Sequence, residues 1–222
     1  MSQYTRIEVV QTMGKIKIIP LFYHSDLKIA KQVIRACYDG GARVFEFTNR
    51  GDHAHELFSE LIKWSNIELP EMIIGIGSIV DPGTASLFIQ SGANFIVSPI
   101  LNSEIAKVCN RRKIAWIPGC ATLSEINYAE ELGAEIVKIF PASQIGGPNF
   151  IKSIKAPCPW TNIMPSGGVT IEESNIKKWF TAGAYCIGIG SNLMIKNKEA
   201  NLDYPTIAKT MKQCILFANN NS

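Results

Sequence analysis

Eight short apolar runs recur along the chain, each followed by a segment of helical periodicity: KIKIIPLF, ARVFEFTNR, EMIIGIGSI, ANFIVSPI, KIAWIPG, EIVKIFP, NIMPSGG and AYCIGIGS. The intervening segments include DLKIAKQVIRACYDGG, DPGTASLFIQSGA and TIEESNIKKWFTAGA. They open on Asp, Ser, Thr or Pro and close on Gly, which is the start and stop chemistry of helices. A Gly-Ala step precedes a strand three times, at Gly92-Ala93, Gly133-Ala134 and Gly183-Ala184. Strands alternating with helices predict parallel pairing. Eight units of roughly twenty to thirty residues predict an α/β fold, a (β/α)8 TIM barrel. An open parallel sheet is the alternative, because a linear pattern does not encode closure. The stretch around residues 3–13 predicts an extra N-terminal helix ahead of the first strand. No linker or low-complexity tract divides the 222 residues, so residues 1–222 read as one domain.

Composition narrows the function classes. With 46% hydrophobic and 18% charged residues, the chain can build one large core. The net charge of +3, without a Lys/Arg block, gives no electrostatic support to nucleic-acid or membrane-surface binding. The polar start MSQYTRIEVVQTMGK has no apolar signal segment, and no run reaches membrane length. Six cysteines are scattered without a CxxC pair, as expected of reduced, mostly packed thiols in a cytoplasmic protein.

Side-chain parity then separates packing from chemistry. Barrel strands alternate between the interior and the surrounding helices. In ARVFEFTNR, Phe45 and Phe47 share the outward parity, while Val44, Glu46, Thr48 and Arg50 share the inward one. In EIVKIFP, Lys138 takes the parity of Ile136 and Phe140 and points into the same interior as Glu46. A Glu–Lys pair that merely fills the barrel is one reading. A buried pair stabilises weakly compared with apolar residues, so a chemical role is preferred.

Other polar residues carry less. His24, His53 and His55 are the only histidines, and DHAH reads as an exposed helix start that lacks a third metal ligand. Trp64, Trp116, Trp160 and Trp179 read as packing residues. Two glycine-rich elements, Gly167-Gly168 in PSGGVT and Gly188, Gly190, Ser191 in GIGSN, follow the last two strands. That is the usual phosphate-binding corner of such barrels, where backbone N–H groups and the Ser191 hydroxyl could hold the anion.

In their order, these motifs resemble the KDPG/4-hydroxy-2-oxoglutarate aldolase family. RVFEFTNR looks like its E-x-T-x-R strand, GIGS at 75–78 its G-x-G-T segment, and Ser98-Pro99 its S-P turn. IPG at 117–119, KIFPA at 138–142, PSGGV and GIGS at 188–191 follow in turn, and KIFPA looks like the Schiff-base K-x-F-P-A motif. The resemblance implies that Lys138 forms the imine and Glu46 is the general acid/base. It implies that Arg50 and Ser78 hold the substrate carboxylate, and that Gly167, Gly168, Gly190 and Ser191 hold the phosphate. Thr48, Pro99, Phe140 and Ser166 would line the pocket. It further implies a small phosphorylated keto acid as substrate, no metal or other cofactor, and a homotrimer. Two positions depart from the family: Ser78 replaces the commoner threonine, and Ile100 stands where glycine is usual.

The chemistry accounts for the buried amine. Cleaving a C–C bond beside a ketone needs an electron sink, which a protonated imine supplies without a metal. An ordinary lysine is neutral in about one molecule in 2,500 at pH 7, a cost on the order of 4–5 kcal/mol that apolar surroundings reduce. A nearby carboxylate opposes that reduction, and a pair that shares a proton resolves the conflict. The expected activity is cleavage of 2-dehydro-3-deoxy-6-phosphogluconate to pyruvate and glyceraldehyde 3-phosphate, with 4-hydroxy-2-oxoglutarate as a second substrate. The galactonate epimer is an alternative, as are a phosphate-binding barrel isomerase and a non-catalytic barrel. The latter two do not require a lysine in the middle of a strand.

Overall fold

The computed structural model describes residues 2–220. Helix α1 (Arg6–Ile16) precedes strand β1 (Ile18–Phe22). Then follow α2 (Leu27–Asp39), β2 (Val44–Thr48), α3 (Ala54–Glu68), β3 (Ile73–Gly77), α4 (Pro82–Gln90) and β4 (Phe95–Val97). The second half runs α5 (Ser103–Arg112), β5 (Ala115–Ile117), β6 (Gly119–Cys120), α6 (Leu123–Glu131), β7 (Val137–Ile139) and α7 (Gly147–Lys155). It finishes with β8 (Ile163–Pro165), α8 (Glu173–Thr181), β9 (Ile187–Ile189) and α9 (Tyr204–Asn219).

Every paired strand is parallel. Six strands run in the order β5-β4-β3-β2-β1-β9 and three in the order β6-β7-β8. β5 and β6 form one barrel strand interrupted at Pro118, which lacks an N–H. There the pairing passes from β4 to β7, and the Pro118 carbonyl accepts from Lys138 N at 2.8 Å. A parallel bridge between Ser166 and Gly188 joins β8 to β9. The sheet is thereby a closed eight-position barrel rather than the open alternative.

Helix boundaries follow local chemistry. Asp26, Asp81 and Asn102 side chains accept from the first-turn N–H groups of α2, α4 and α5, and Thr122 with Glu125 forms a capping box on α6. Gly92, Gly133 and Gly183 all adopt left-handed φ, of 100°, 88° and 103°. After each, the alanine N–H reaches back to a carbonyl five residues earlier, which closes the helix and turns the chain into the next strand. The first helix lies about three residues later than its pattern predicts, because Thr5 and Glu8 form a reciprocal cap that starts it at Arg6. Helix α8 likewise opens at Glu173 rather than near Thr170, whose N–H is held by the Asn175 side chain at 3.0 Å.

Two apolar layers confirm the parity argument. Phe45, Phe47, Ile74, Ile76, Val137 and Ile139 pack outward with the helices. Ile19, Val44, Ile73, Phe95, Ile136 and Met164 fill the barrel interior, together with Val9 and Met13 of α1. Helix α1 therefore plugs the end of the barrel opposite the strands' C-termini, and each of those two side chains contributes about 1.5–3 kcal/mol by burial. Trp116 and Trp179 are buried, but Trp160 is 68% exposed and is not the packing residue expected. It lies on the turn between α7 and β8, beyond the reach of the helical layer. Five of the six cysteines are buried, and Cys158 is half-buried. Among the described residues, no helix is long and apolar enough to cross a membrane.

Candidate active site

The polar residues inside the barrel gather toward the C-terminal ends of the strands. Glu46 and Lys138 are 1% and 5% exposed, and Glu46 Oε1 lies 3.7 Å from Lys138 Nζ. Strand register explains the room around them. Lys138 is flanked by Gly119 on β6 and Met164 on β8, while Glu46 is flanked by Leu21 on β1 and Gly75 on β3. Each polar group thus has a glycine on one side. The Lys138 amine lies 5.4 Å from the centroid of the Phe140 ring, which lies toward the barrel mouth.

Glu46 Oε2 is buried without a hydrogen-bond partner among the described residues. Burial pushes the Glu46 carboxyl above its ordinary value of 4.5, while the charges of Lys138 and Arg50 oppose the rise. A carboxyl held in this way keeps its proton more readily than an ordinary glutamate, which suits it to both halves of a general acid/base role.

Above the pair opens a cavity of about 450 Å³. Its lining includes Thr48, Arg50, Phe140, Ser166, Gly167, Gly168, Gly190 and Ser191 from the sequence-derived set. Glu46 and Lys138 are not part of this lining; each lies two residues before a lining residue on its strand path, Thr48 and Phe140. Strand β2 ends at Thr48, so parity no longer governs Arg50; its side chain is exposed, lines the cavity, and forms no ion pair among the described residues. Ser78 and Pro99 do not line the cavity. Ser78 follows the last residue of β3 with a left-handed φ of 63°, an uncommon conformation for a residue with a Cβ. Pro99 abuts the strand neighbour of Lys138, because a Cβ on Gly119 would overlap the Pro99 carbonyl.

The two glycine elements meet at one corner of the cavity. Gly167 and Gly168 both adopt left-handed φ, of 89° and 83°. Ser191 opens a three-residue 3-10 turn, and the Asn192 amide donates to the Val169 carbonyl at 2.9 Å, tying the two elements together. Space beside Gly190 is open, with Leu21 O at 3.9 Å the nearest atom to a Cβ built there.

The cavity also exposes residues that motif reading missed. Leu21 and Phe22 end β1 and Tyr23 follows it, while Val169, Gly188, Asn192 and Met194 join the glycine corner. The signal that could have found the first group is its place at the C-terminal end of the first strand, where barrel sites form, but no polar parity marks it. His53 caps α3 on the surface, and no group of three His, Cys, Asp or Glu able to hold a metal occurs among the described residues.

The family model "KDPG and KHG aldolase" matches residues 9–210. The chain belongs to that family. Membership makes it an aldolase, a carbon–carbon lyase. A 2-dehydro-3-deoxy-phosphogluconate aldolase of Pseudoalteromonas atlantica is 33% identical over 219 residues, covering 98% of this chain and 99% of that protein. The KHG/KDPG aldolase of Escherichia coli K12 is 29% identical over 212 residues, 95% of each chain. Among solved structures, the 2-keto-3-deoxy-6-phosphogluconate aldolase of Zymomonas mobilis with 3-phosphoglycerate superposes with a TM-score of 0.82. It is 26% identical, covering 94% of this chain and 95% of that one. The KDPG aldolase of Legionella pneumophila, with pyruvate captured as a covalent carbinolamine, gives a TM-score of 0.81 at 26% identity, covering 91% of this chain and 96% of that one.

Proposed function

We propose that this aldolase uses Lys138 to form an imine with 2-dehydro-3-deoxy-6-phosphogluconate and releases pyruvate and glyceraldehyde 3-phosphate. The observation that carries this reading is the buried pairing of Lys138 with Glu46 inside the barrel, one inward position below Phe140 and Thr48 of the cavity lining. The neutral Lys138 amine attacks the C2 carbonyl, and Glu46 hands the proton that lets hydroxide leave as water. The iminium then accepts the electron pair of the C3–C4 bond as the C4 hydroxyl gives its proton to Glu46. The aldehyde departs, Glu46 returns a proton to C3 of the enamine, and water hydrolyses the pyruvyl imine.

Arg50 supplies a planar fork for the C1 carboxylate, with the Ser78 hydroxyl beside it in this reading. The corner formed by Gly167, Gly168, Gly190 and Ser191 takes the phosphate at the far end of the substrate. Thr48, Phe140 and Ser166 shape the space between, and Pro99 stands behind Gly119. The imine serves as the electron sink, so the reading needs no added cofactor. A cytoplasmic homotrimer also belongs to it, and sedimentation would give about three times the chain mass of 24.5 kDa.

A second reading, the C4 epimer derived from galactonate, has one observation in its favour. The 2-dehydro-3-deoxy-6-phosphogalactonate aldolase of Escherichia coli K12 is 37% identical over 122 residues, 54% of this chain. Pyruvate release from both epimers and from 4-hydroxy-2-oxoglutarate separates the readings. Preference for the gluconate epimer supports the first, and preference for its galactonate counterpart supports the second. Turnover of none of the three defeats both.

A further inference from the structure

Gly77 closes β3 on the inward parity, after Ile73 and Gly75. Its backbone lies outside the left-handed region that favours glycine, so an alanine could adopt it without strain. Space is what excludes the side chain. A Cβ built on Gly77 would overlap Glu46 Oε1 and stand 2.5 Å from Cδ and 2.9 Å from Cγ. All three of its nearest neighbours belong to Glu46, and Oε1 is the oxygen that faces Lys138.

Other constraints on that carboxylate are loose: among the described residues Oε2 has no hydrogen-bond partner, and Oε1 meets Lys138 as an ion pair at 3.7 Å, beyond hydrogen-bond length. We propose that Gly77 is a positioning residue for the reaction: its missing side chain is the slot that holds the Glu46 carboxylate against Lys138. Gly75, two residues earlier on the same face, differs in kind, because a Cβ there would overlap the Phe95 ring of the interior packing layer.

The inference rests on Glu46 as the proton-transfer group, and its test separates the two ideas. Gly77→Ala forces the carboxylate out of the slot toward the cavity and solvent. Exchange of pyruvate methyl protons should fall at least about 100-fold, the lower end of what a general base supplies. The acid limb of its pH profile should move down toward that of an ordinary glutamate, since the displaced carboxyl regains water. A glycine with a purely structural role would leave that limb in place.

Melting of Gly77→Ala, Glu46→Ala and the double variant gives an independent reading. Sites in direct contact are non-additive, so the alanine at 77 should lower the melting temperature much less once residue 46 is truncated. If Gly77→Ala alone does not fold, the double variant should. Wild-type exchange in Gly77→Ala, or strictly additive melting losses, or a double variant that also fails to fold, would each overturn the proposal. If Glu46 is not the base, Glu46→Gln keeps its exchange, while non-additive melting still reports whether Gly77 forms the slot.

Discussion

Glu46 Oε1 and Lys138 Nζ face each other at 3.7 Å inside the barrel, from two strands, β2 and β7, that do not pair with one another. A charge-assisted hydrogen bond would be about 2.7–2.9 Å, so the pair stops roughly 1 Å short of one. In the proposed mechanism, that gap leaves the amine room to turn toward a carbonyl carbon, with the carboxylate close enough to exchange protons with the same intermediate.

The imine is open to direct trapping. Borohydride in the presence of pyruvate should inactivate the protein irreversibly and add the reduced pyruvyl group to the peptide that contains Lys138. Label on another lysine, or none, would overturn the mechanism. Activity should survive EDTA, because the iminium itself is the electron sink; turnover lost to EDTA and restored by a divalent cation would argue for a metal-dependent route.

Glu46→Gln keeps the shape of the side chain and removes the transferable proton. Turnover and pyruvate proton exchange should both fall by about 10²–10⁴-fold while the fold persists. Near-normal exchange would assign the base to another group or to water.

The pH dependence follows from burial of Glu46. Its carboxyl is held above the ordinary 4.5, so it stays protonated to higher pH, and the base form is lost earlier on acidification. The acid limb of proton exchange should therefore lie above pH 4.5 and be absent from Glu46→Gln. A limb at or below the ordinary glutamate value would contradict the proposed environment.

The phosphate corner needs a variant that spares the backbone. Any side chain at Gly168 is strained by its φ of 83° and overlaps the Ser143 hydroxyl, so it damages the turn whether or not phosphate binds. Ser191→Ala leaves the backbone path intact. It should lower kcat/KM for the phosphorylated substrate by about tenfold, roughly 1.4 kcal/mol, and affect 4-hydroxy-2-oxoglutarate much less. Equal losses on both substrates would withdraw the assignment.

Stability resides partly at the other end of the barrel. Met13 is fully buried in the interior layer, and Met13→Ala should cost about 2–5 kcal/mol. Calorimetry should show a fall in Tm of at least about 4 °C. Turnover well below the melting range should be unchanged, because the residue lies on the plug opposite the active end.

The sequence by itself determined the alternation of strands and helices, the glycine-terminated helices and the inward parity of Glu46, Thr48 and Lys138. These are local properties: a strand's two-residue period sets the face of each side chain, and helix caps are made by neighbours in the chain. Only the tertiary structure decided which inward groups meet. Closure through Ser166 and Gly188 encloses the interior, and register sets Gly119 beside Lys138 and Gly75 beside Glu46. It also brings Tyr23 and Asn192 into the cavity wall, where no motif marked them. The space that the Glu46 carboxylate occupies is the absent side chain of Gly77, a residue thirty-one positions away in sequence. Such a vacancy leaves no signature along the chain, because it is created by a neighbouring strand.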